Sequence, residues 1–264
     1  MSESHSMPEE LSYVILGRGR WAKRIDGILA GHRRRTACIA ATRPDIGEDD
    51  VSYSERMTSA MAAAGAHIAW LCLPPGPHIP LIAGAALAAG LHVIVEKPWL
   101  ASAAETTRLQ ELARDAGRMV AVHYEYCFLS EIEIWRQQLQ GGAGLRFGGQ
   151  FTVDRSDHLN IPATENLGSH LLAIREHAVP QADVNEIHCG YELPDERRVW
   201  LERDGRETAA VDFTRSTEPV IQRFIDRFDA GVRGADFPLD LNFASRVAVA
   251  LSAVTEAQKK KEQS

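Results

Sequence analysis

The feature that most limits the fold is a regular alternation of short apolar runs with helix-period segments through the first half of the chain. Residues 13–16, 36–41, 67–73, 92–95 and 119–122 are apolar runs of strand length, and the first is β-branched and aromatic. Between them, residues 20–30, 54–64, 79–89 and 102–116 read as helices. In the first, Trp21, Ile25, Ile28 and Leu29 share one side; Gly31, Gly90 and Gly117 are the stops. Strands that alternate with helices in this way call for a parallel sheet covered on both faces.

The second half has a different rhythm. Residues 131–140 read as a helix ended by Gly141 and Gly142, residues 147–154 as a strand, and residues 167–177 as a helix. Residues 199–203 and 208–213 flank Asp204-Gly205, a hairpin signal. Residues 220–230 and 241–258 read as closing helices. The expected architecture is therefore an α/β Rossmann-type parallel-sheet domain over residues 1–125, with a loose tail at 1–10. A smaller α+β domain over residues 126–264 follows, with an open, mainly antiparallel sheet and a final helix packed back on the first domain.

Composition removes several classes of function. Apolar residues make 45% of the chain and charged residues 25%, which is globular rather than disordered. No charge-free apolar stretch reaches the roughly 18 residues of a membrane span. The opening MSESHSMPEE is polar and acidic, unlike a secretory signal. Cys38, Cys72, Cys127 and Cys189 are scattered without a C-x-x-C pair, which argues against a disulfide framework and fits a reducing cytoplasm. The net charge of −7 is the wrong sign for a nucleic-acid partner. The one strong basic cluster of the first half, His32, Arg33, Arg34 and Arg35, reads as a solvated turn before a strand.

The first chemical motif is Gly17-Arg18-Gly19-Arg20-Trp21-Ala22, which follows a predicted strand and opens a predicted helix. In that context the G-x-G-x-x-A pattern points to a dinucleotide. Gly17 permits the tight turn, Gly19 lets the backbone approach a pyrophosphate, and Ala22 is small enough for the helix to pack on the sheet. The helix N-terminus offers free N–H groups to the phosphates. Arg18 and Arg20 either add phosphate contacts or are plain surface charges. The second strand ends in Ala41-Thr42-Arg43, with no acid to bond a ribose 2′-hydroxyl; Asp45 comes only after Pro44. Thr42 can hydrogen-bond and Arg43 can pair with a 2′-phosphate, so NADP(H) is the favoured cofactor and NAD(H) the second.

Together with this turn, two further segments resemble the Gfo/Idh/MocA family of nicotinamide-dependent oxidoreductases. One is Leu73-Pro74-Pro75-Gly76-Pro77-His78 after the third strand; the other is Glu96-Lys97-Pro98 after the fourth. The resemblance implies cofactor contacts at Leu73, Pro74, Pro75, His78 and Glu96, a frequent cis bond at Pro98, and a substrate-facing Lys97. A lysine at a strand's carboxyl end can hydrogen-bond a substrate oxygen. His78 reads equally as a surface residue at a helix start. The family also has an Asp, a Gly and then a His four residues after the Asp. Here the run is Asn166-Leu167-Gly168-Ser169-His170, with the His kept and the Asp replaced. The resemblance makes His170 the group that exchanges a proton with the substrate oxygen, a task suited to a side chain that titrates near neutrality. The replacement removes the charge that would raise the His170 pKa and hold its tautomer. Tyr124 and Tyr126, just past the fifth strand, either donate hydrogen bonds to substrate or pack at the domain junction. The second domain is shorter than is usual in the family.

Asp154, Asp157 and His158 line a pocket or lie in a solvated loop. No second histidine stands at ligand spacing, so no metal is expected. No nucleophile elbow supports a hydrolase. The reading is an NADP(H)-dependent oxidoreductase that moves a hydride to or from a carbonyl or alcohol carbon, or an imine or amine carbon, of a small polar, sugar-like molecule. A homo-oligomer through the second sheet would follow the family's habit. The alternative is a catalytically silent NADP- and ligand-binding regulatory protein on the same fold.

Overall fold

Residues 10–34, 36–139, 144–156 and 160–262 are described by a computed structural model. The first half forms β1 (Tyr13–Leu16), α1 (Arg20–Gly31), β2 (Thr36–Ile39), α2 (Asp50–Ala63), β3 (Ile68–Leu71), α3 (Ile79–Ala88), β4 (His92–Glu96), α4 (Ala103–Ala116) and β5 (Val120–His123). The five strands make one sheet in the order β2-β1-β3-β4-β5, and every pairing is parallel. Strands β1, β3 and β5 are buried at every position, which is why they read as continuous apolar runs without alternation. Strand β2 lies at an edge and leaves Thr36 and Cys38 exposed.

Local chemistry sets the helix ends. Ser102 and Glu105 form a reciprocal capping box at the start of α4, and Gly117 ends it in the left-handed region at φ 61°. Helix α2 starts four residues before the predicted 54 because the Asp49 carboxylate accepts from the Ser52 N–H at 2.8 Å. The run Glu48-Asp49-Asp50 looks like a loop by polarity, yet it is a cap followed by an acid in the first turn.

The second half continues with a 3-10 turn at Glu125–Phe128, α5 (Ser130–Gln138), β6 (Arg146–Val153), α6 (Ala163–Asn166), α7 (Gly168–Ala178), β7 (Asp183–Tyr191), β8 (Glu196–Arg203), β9 (Arg206–Asp212), α8 (Val220–Val232) and α9 (Leu241–Glu262). The second sheet runs β7-β6-β8-β9, with two antiparallel pairings and one parallel pairing at the β7 edge. The hairpin turn is the predicted Asp204-Gly205, both left-handed at φ 52° and 73°. Strand β7 was not expected from the sequence. Only Ile187 in it is buried, so its apolar signal is faint. Helix α7 lies against this sheet closely enough that a Cβ on Gly149 would stand 3.1 Å from the Leu171 side chain. No helix among the described residues is long and apolar enough to cross a membrane.

Two compact units result. One joins the residues up to His123 with Ile225–Leu241; the other joins Tyr124–Phe224 with the residues from Asn242 onward. The segment that returns to the first unit is thus the end of α8 and the loop after it, while α9 belongs to the second unit apart from Leu241.

That return is fastened by a buried carboxylate. Asp229 accepts from the Tyr13 hydroxyl on β1 and from Arg34 Nε and Nη2 at 2.9 and 2.7 Å. Arg34 Nη2 also reaches Asp226 Oδ1 at 3.0 Å. Burial, and then the Asp229 charge, push the Tyr13 phenol well above its ordinary pKa, so it stays a donor. This corrects the solvated-turn reading of the basic cluster. His32 and Arg33 are exposed, but Arg34 is half-buried and held by Asp229; Arg35 lies outside the described residues. Asp229→Ala should cost about 3 kcal/mol in urea unfolding, because it strands a buried phenol and a guanidinium together. Asp229→Asn, which keeps an acceptor, should cost less.

Candidate active site

In an open parallel sheet the binding crevice forms at the carboxyl ends of the strands, where the strand order reverses. Here that point lies between β1 and β3: the chain leaves β1 towards β2 on one side and returns to β3 on the other. The glycine turn stands at this point. Gly17 has φ 117°, and a Cβ on it would lie 2.6 Å from the Cys72 carbonyl oxygen and 3.3 Å from Leu73 Cδ2. The protein itself therefore demands glycine at 17, and the glycine turn meets the start of the Pro-Pro turn. Gly17 N–H donates to the Ile39 carbonyl at 2.9 Å, which ties the turn to β2 as well.

Gly19 is different. It begins α1 with extended backbone, and a Cβ there would meet nothing within 4 Å. No side chain caps α1, and its first turn holds no acid. Arg18 and Arg20 flank it and are exposed, while Ala22 is buried against the sheet. Open space, uncapped N–H groups and two cations fit the pyrophosphate of a dinucleotide. Trp21 is half-buried, with the Arg24 guanidinium 5.1 Å from its ring.

The loop after β2 is held by its backbone. The Tyr53 hydroxyl donates to the Thr42 carbonyl at 2.6 Å, and Arg56 Nη2 donates to the Arg43 carbonyl at 3.0 Å. Arg56 is itself anchored by Glu48, whose carboxyl is held at a pKa of about 2, chiefly by the Arg56 hydrogen bond. The Arg43 side chain remains exposed and makes no ion pair among the described residues. His78 is exposed at the start of α3, its ring 6.2 Å from Tyr53, while Leu73 and Pro75 are half-buried and Pro74 is exposed.

Glu96 closes β4. Its Oε1 accepts from Trp70 Nε1 on β3 at 2.8 Å and lies 3.2 Å from His123 Nδ1 on β5. Strand register explains the cluster, since Glu96 stands opposite His123. Burial alone would raise this carboxyl. The His123 charge and hydrogen bonds outweigh it and hold the pKa below the usual value. Trp70 and His123 were not singled out from the sequence; Trp70 is an ordinary member of an apolar run and His123 the polar residue that follows one, until the strands are paired. Lys97 follows, half-buried, and the Lys97–Pro98 bond is cis, as the resemblance implied.

The remaining candidates belong to the second unit. His170 sits in the first turn of α7 and is buried. Its ring lies 4.9 Å from Tyr126 and 5.4 Å from Phe151, and its Nδ1 lies 4.0 Å from Glu125 Oε2. Asn166 Nδ2 donates to the Tyr191 hydroxyl at 2.6 Å. Tyr124 is buried, with its ring edge-on to Phe243 of α9 at 6.1 Å, so its bulk serves packing. Tyr126 instead shares the aromatic cluster with His170. Asp154, Arg155 and Ser156 are exposed; Asp157 and His158 lie outside the described residues. The sequence alone gives Glu125 no role. Its signal is an acid set between two tyrosines directly after a buried strand.

Comparisons with known proteins agree with the fold. The description "Oxidoreductase family, NAD-binding Rossmann fold" matches residues 11–124. A dTDP-3,4-didehydro-2,6-dideoxy-alpha-D-glucose 3-reductase from Streptomyces violaceoruber is 39% identical over 74 residues. That match covers 28% of this chain and only 21% of the reductase. Among solved structures, the WlbA dehydrogenase from Bordetella pertussis, in complex with NADH and UDP-GlcNAcA, superposes with a TM-score of 0.69 at 15% identity. The match covers 96% of this chain and 97% of that one. The UDP-N-acetylglucosamine 3-dehydrogenase GnnA from Acidithiobacillus ferrooxidans also gives 0.69 at 15% identity, covering 93% and 96%. At such identities the likeness is one of fold. Residues 11–124 match the GFO_IDH_MocA oxidoreductase family, with its NAD-binding Rossmann fold; the likeness at the level of sequence is to that first part of the chain.

Proposed function

We propose that this chain is an NADP(H)-dependent oxidoreductase acting on a carbonyl or alcohol carbon of a small, polar, sugar-like molecule. The observation that carries this reading is the contrast between the two glycines. Gly17 is required by the Cys72 carbonyl, whereas Gly19 faces open space at an uncapped helix start. A glycine that the protein's own packing does not need, at that place, is explained by a ligand backbone that must come close. The names of the relatives, a deoxysugar-nucleotide reductase and two sugar-nucleotide dehydrogenases, favour a sugar nucleotide as substrate.

A bound nicotinamide would supply or accept the hydride. This chain's residues do the rest. Arg18 and Arg20 offset the phosphate charge. Thr42 and Arg43 receive the 2′-phosphate on a loop whose carbonyls Tyr53 and Arg56 already hold. Lys97 hydrogen-bonds the substrate oxygen and stabilises negative charge on it. His170 gives or takes the proton of that oxygen. Glu96, gripped by Trp70 and His123, fixes the strand end from which Lys97 departs. The silent regulatory alternative draws its support from Asn166, which supplies no charge to His170.

Calorimetric titration with NADPH and with NADH tests the cofactor half. NADPH should bind at least about tenfold more tightly, and Arg43→Asp should abolish or reverse that preference. Equal binding of both would remove the role of Arg43; binding of neither would remove the oxidoreductase. Gly19→Ala should leave the unfolding free energy within about 0.5 kcal/mol and still weaken dinucleotide binding, while Gly17→Ala should destabilise by about 1–3 kcal/mol. Lys97→Ala and His170→Ala should each lower kcat by about 10²-fold or more on UDP-N-acetylglucosamine or a dTDP-deoxysugar, followed at the nicotinamide absorbance. Cofactor binding without turnover on any sugar nucleotide would favour the regulatory alternative.

A further inference from the structure

The role proposed for His170 leaves a physical gap, and the inference drawn here rests on that role. An imidazole that exchanges protons works best when a neighbouring anion fixes its tautomer and favours its cationic form. Position 166 holds an amide that carries no charge and is engaged with Tyr191. A carboxylate reaches the imidazole from another element. Glu125, first residue of the 3-10 turn after β5, places Oε2 4.0 Å from His170 Nδ1.

Both side chains are more than nine-tenths buried, with 6% of His170 and 9% of Glu125 exposed. Water screens such a pair little, so the attraction across 4.0 Å is far stronger than at a surface. The backbone on each side is fixed. Cys127 and Phe128 bury the turn, and Leu171 and Leu172 bury the helix. The Glu125 charge is also among the causes that keep the buried Cys127 thiol well above its ordinary pKa, after burial itself.

Several other charged or titratable groups around α7 have partners of their own among the described residues, Arg175 and Arg246 on Glu176 included. Tyr126, from the same turn, presents its ring to His170. Glu133 on α5 bonds His177 at 2.7 Å and Arg136 at 3.1 Å. Arg197 on β8 stacks over the Phe151 ring, 5.3 Å from its centroid. On β7, Tyr191 takes the Asn166 amide, and Cys189 Sγ would lie 3.4 Å from a Cβ on Gly168. Glu125, among the described residues, places a carboxylate in ion-pair range of the His170 ring.

We propose that Glu125 is the positioning residue of His170, supplying from the turn after β5 the negative charge that position 166 lacks in this chain. Glu125 keeps its own charge and takes no proton from the substrate. It holds the hydrogen of Nδ1 on its side, which leaves Nε2 as the nitrogen that trades the substrate proton. Asn166 then serves the helix junction and Tyr191 rather than the proton transfer.

NMR of the full chain with labelled histidine tests this without any substrate, with His170→Ala to assign the signal. In the wild type, the nitrogen shifts of neutral His170 should report the Nδ1–H tautomer; the Nε2–H tautomer would overturn the proposal. Glu125→Gln should lower the His170 titration midpoint by about one unit or more, and Glu125→Asp should restore part of it. Asn166→Leu should leave the midpoint nearly in place. A midpoint unmoved by Glu125→Gln, or moved as far by Asn166→Leu, would also overturn it. These readouts are independent of turnover. Full activity of His170→Ala in the sugar-nucleotide assay would instead overturn the role given to His170, and the NMR result would still decide whether the pair exists.

Discussion

Parallel strands cannot be joined by tight turns, and each return to the same edge needs a crossover that covers one face of the sheet. Most of what matters in the first unit follows from that constraint. With helices over both faces, β1, β3 and β5 are buried end to end and β4 to its last residue. All five strands then finish along one edge, which collects the glycine turn, the Pro-Pro turn, Glu96 with Lys97, and His123 from stretches of chain far apart in sequence. The strand order reverses between β1 and β3, so two successive turns diverge there and leave the opening that Gly19 faces.

Two carboxylates enclosed by this arrangement are met by partners from other elements. Glu96 would be costly at the end of a buried strand by itself. It is stable there because Trp70 and His123, on the two flanking strands, converge on one of its oxygens. Asp229 repeats the solution at the other end of β1, where a phenol and a guanidinium share the carboxylate. In both places a single acid ties three separate elements, so each cluster specifies the packing of the sheet as well as contributing to its stability.

The second unit meets a different problem, since its sheet is open and its edges are less deeply covered. Its centre is firm: Phe147, Phe151, Val199 and Leu201 are buried, and α7 presses on Gly149. Around His170 the aromatic rings of Tyr126 and Phe151 and the carboxylate of Glu125 make a surrounding of low polarity with one strong charge.

Much of this was legible in the sequence, for identifiable reasons. Buried parallel strands are unbroken apolar runs, so the rhythm of the first half showed directly. The glycine turn showed because G-x-G-x-x-A between a strand and a helix has few other uses, and Asp204-Gly205 marked its hairpin because two left-handed residues suit so few side chains. What did not show depends on partners distant in the chain. Strand β7 takes its place from the β6 backbone, and its half-exposed side chains carry little pattern. Trp70 and His123 look like filler until register sets them beside Glu96. Arg34 looks solvated until α8 returns with Asp229. Glu125 is one acid among many until the turn after β5 sets it against α7. The sequence by itself determined the layer order and the place of the glycine turn, because local backbone demands and burial periodicity are written in consecutive residues. Tertiary structure alone decided that Arg34 meets Asp229 and that Glu125 meets His170, because an ion pair depends on distance in space and the members of these two lie tens of residues or more apart in the chain.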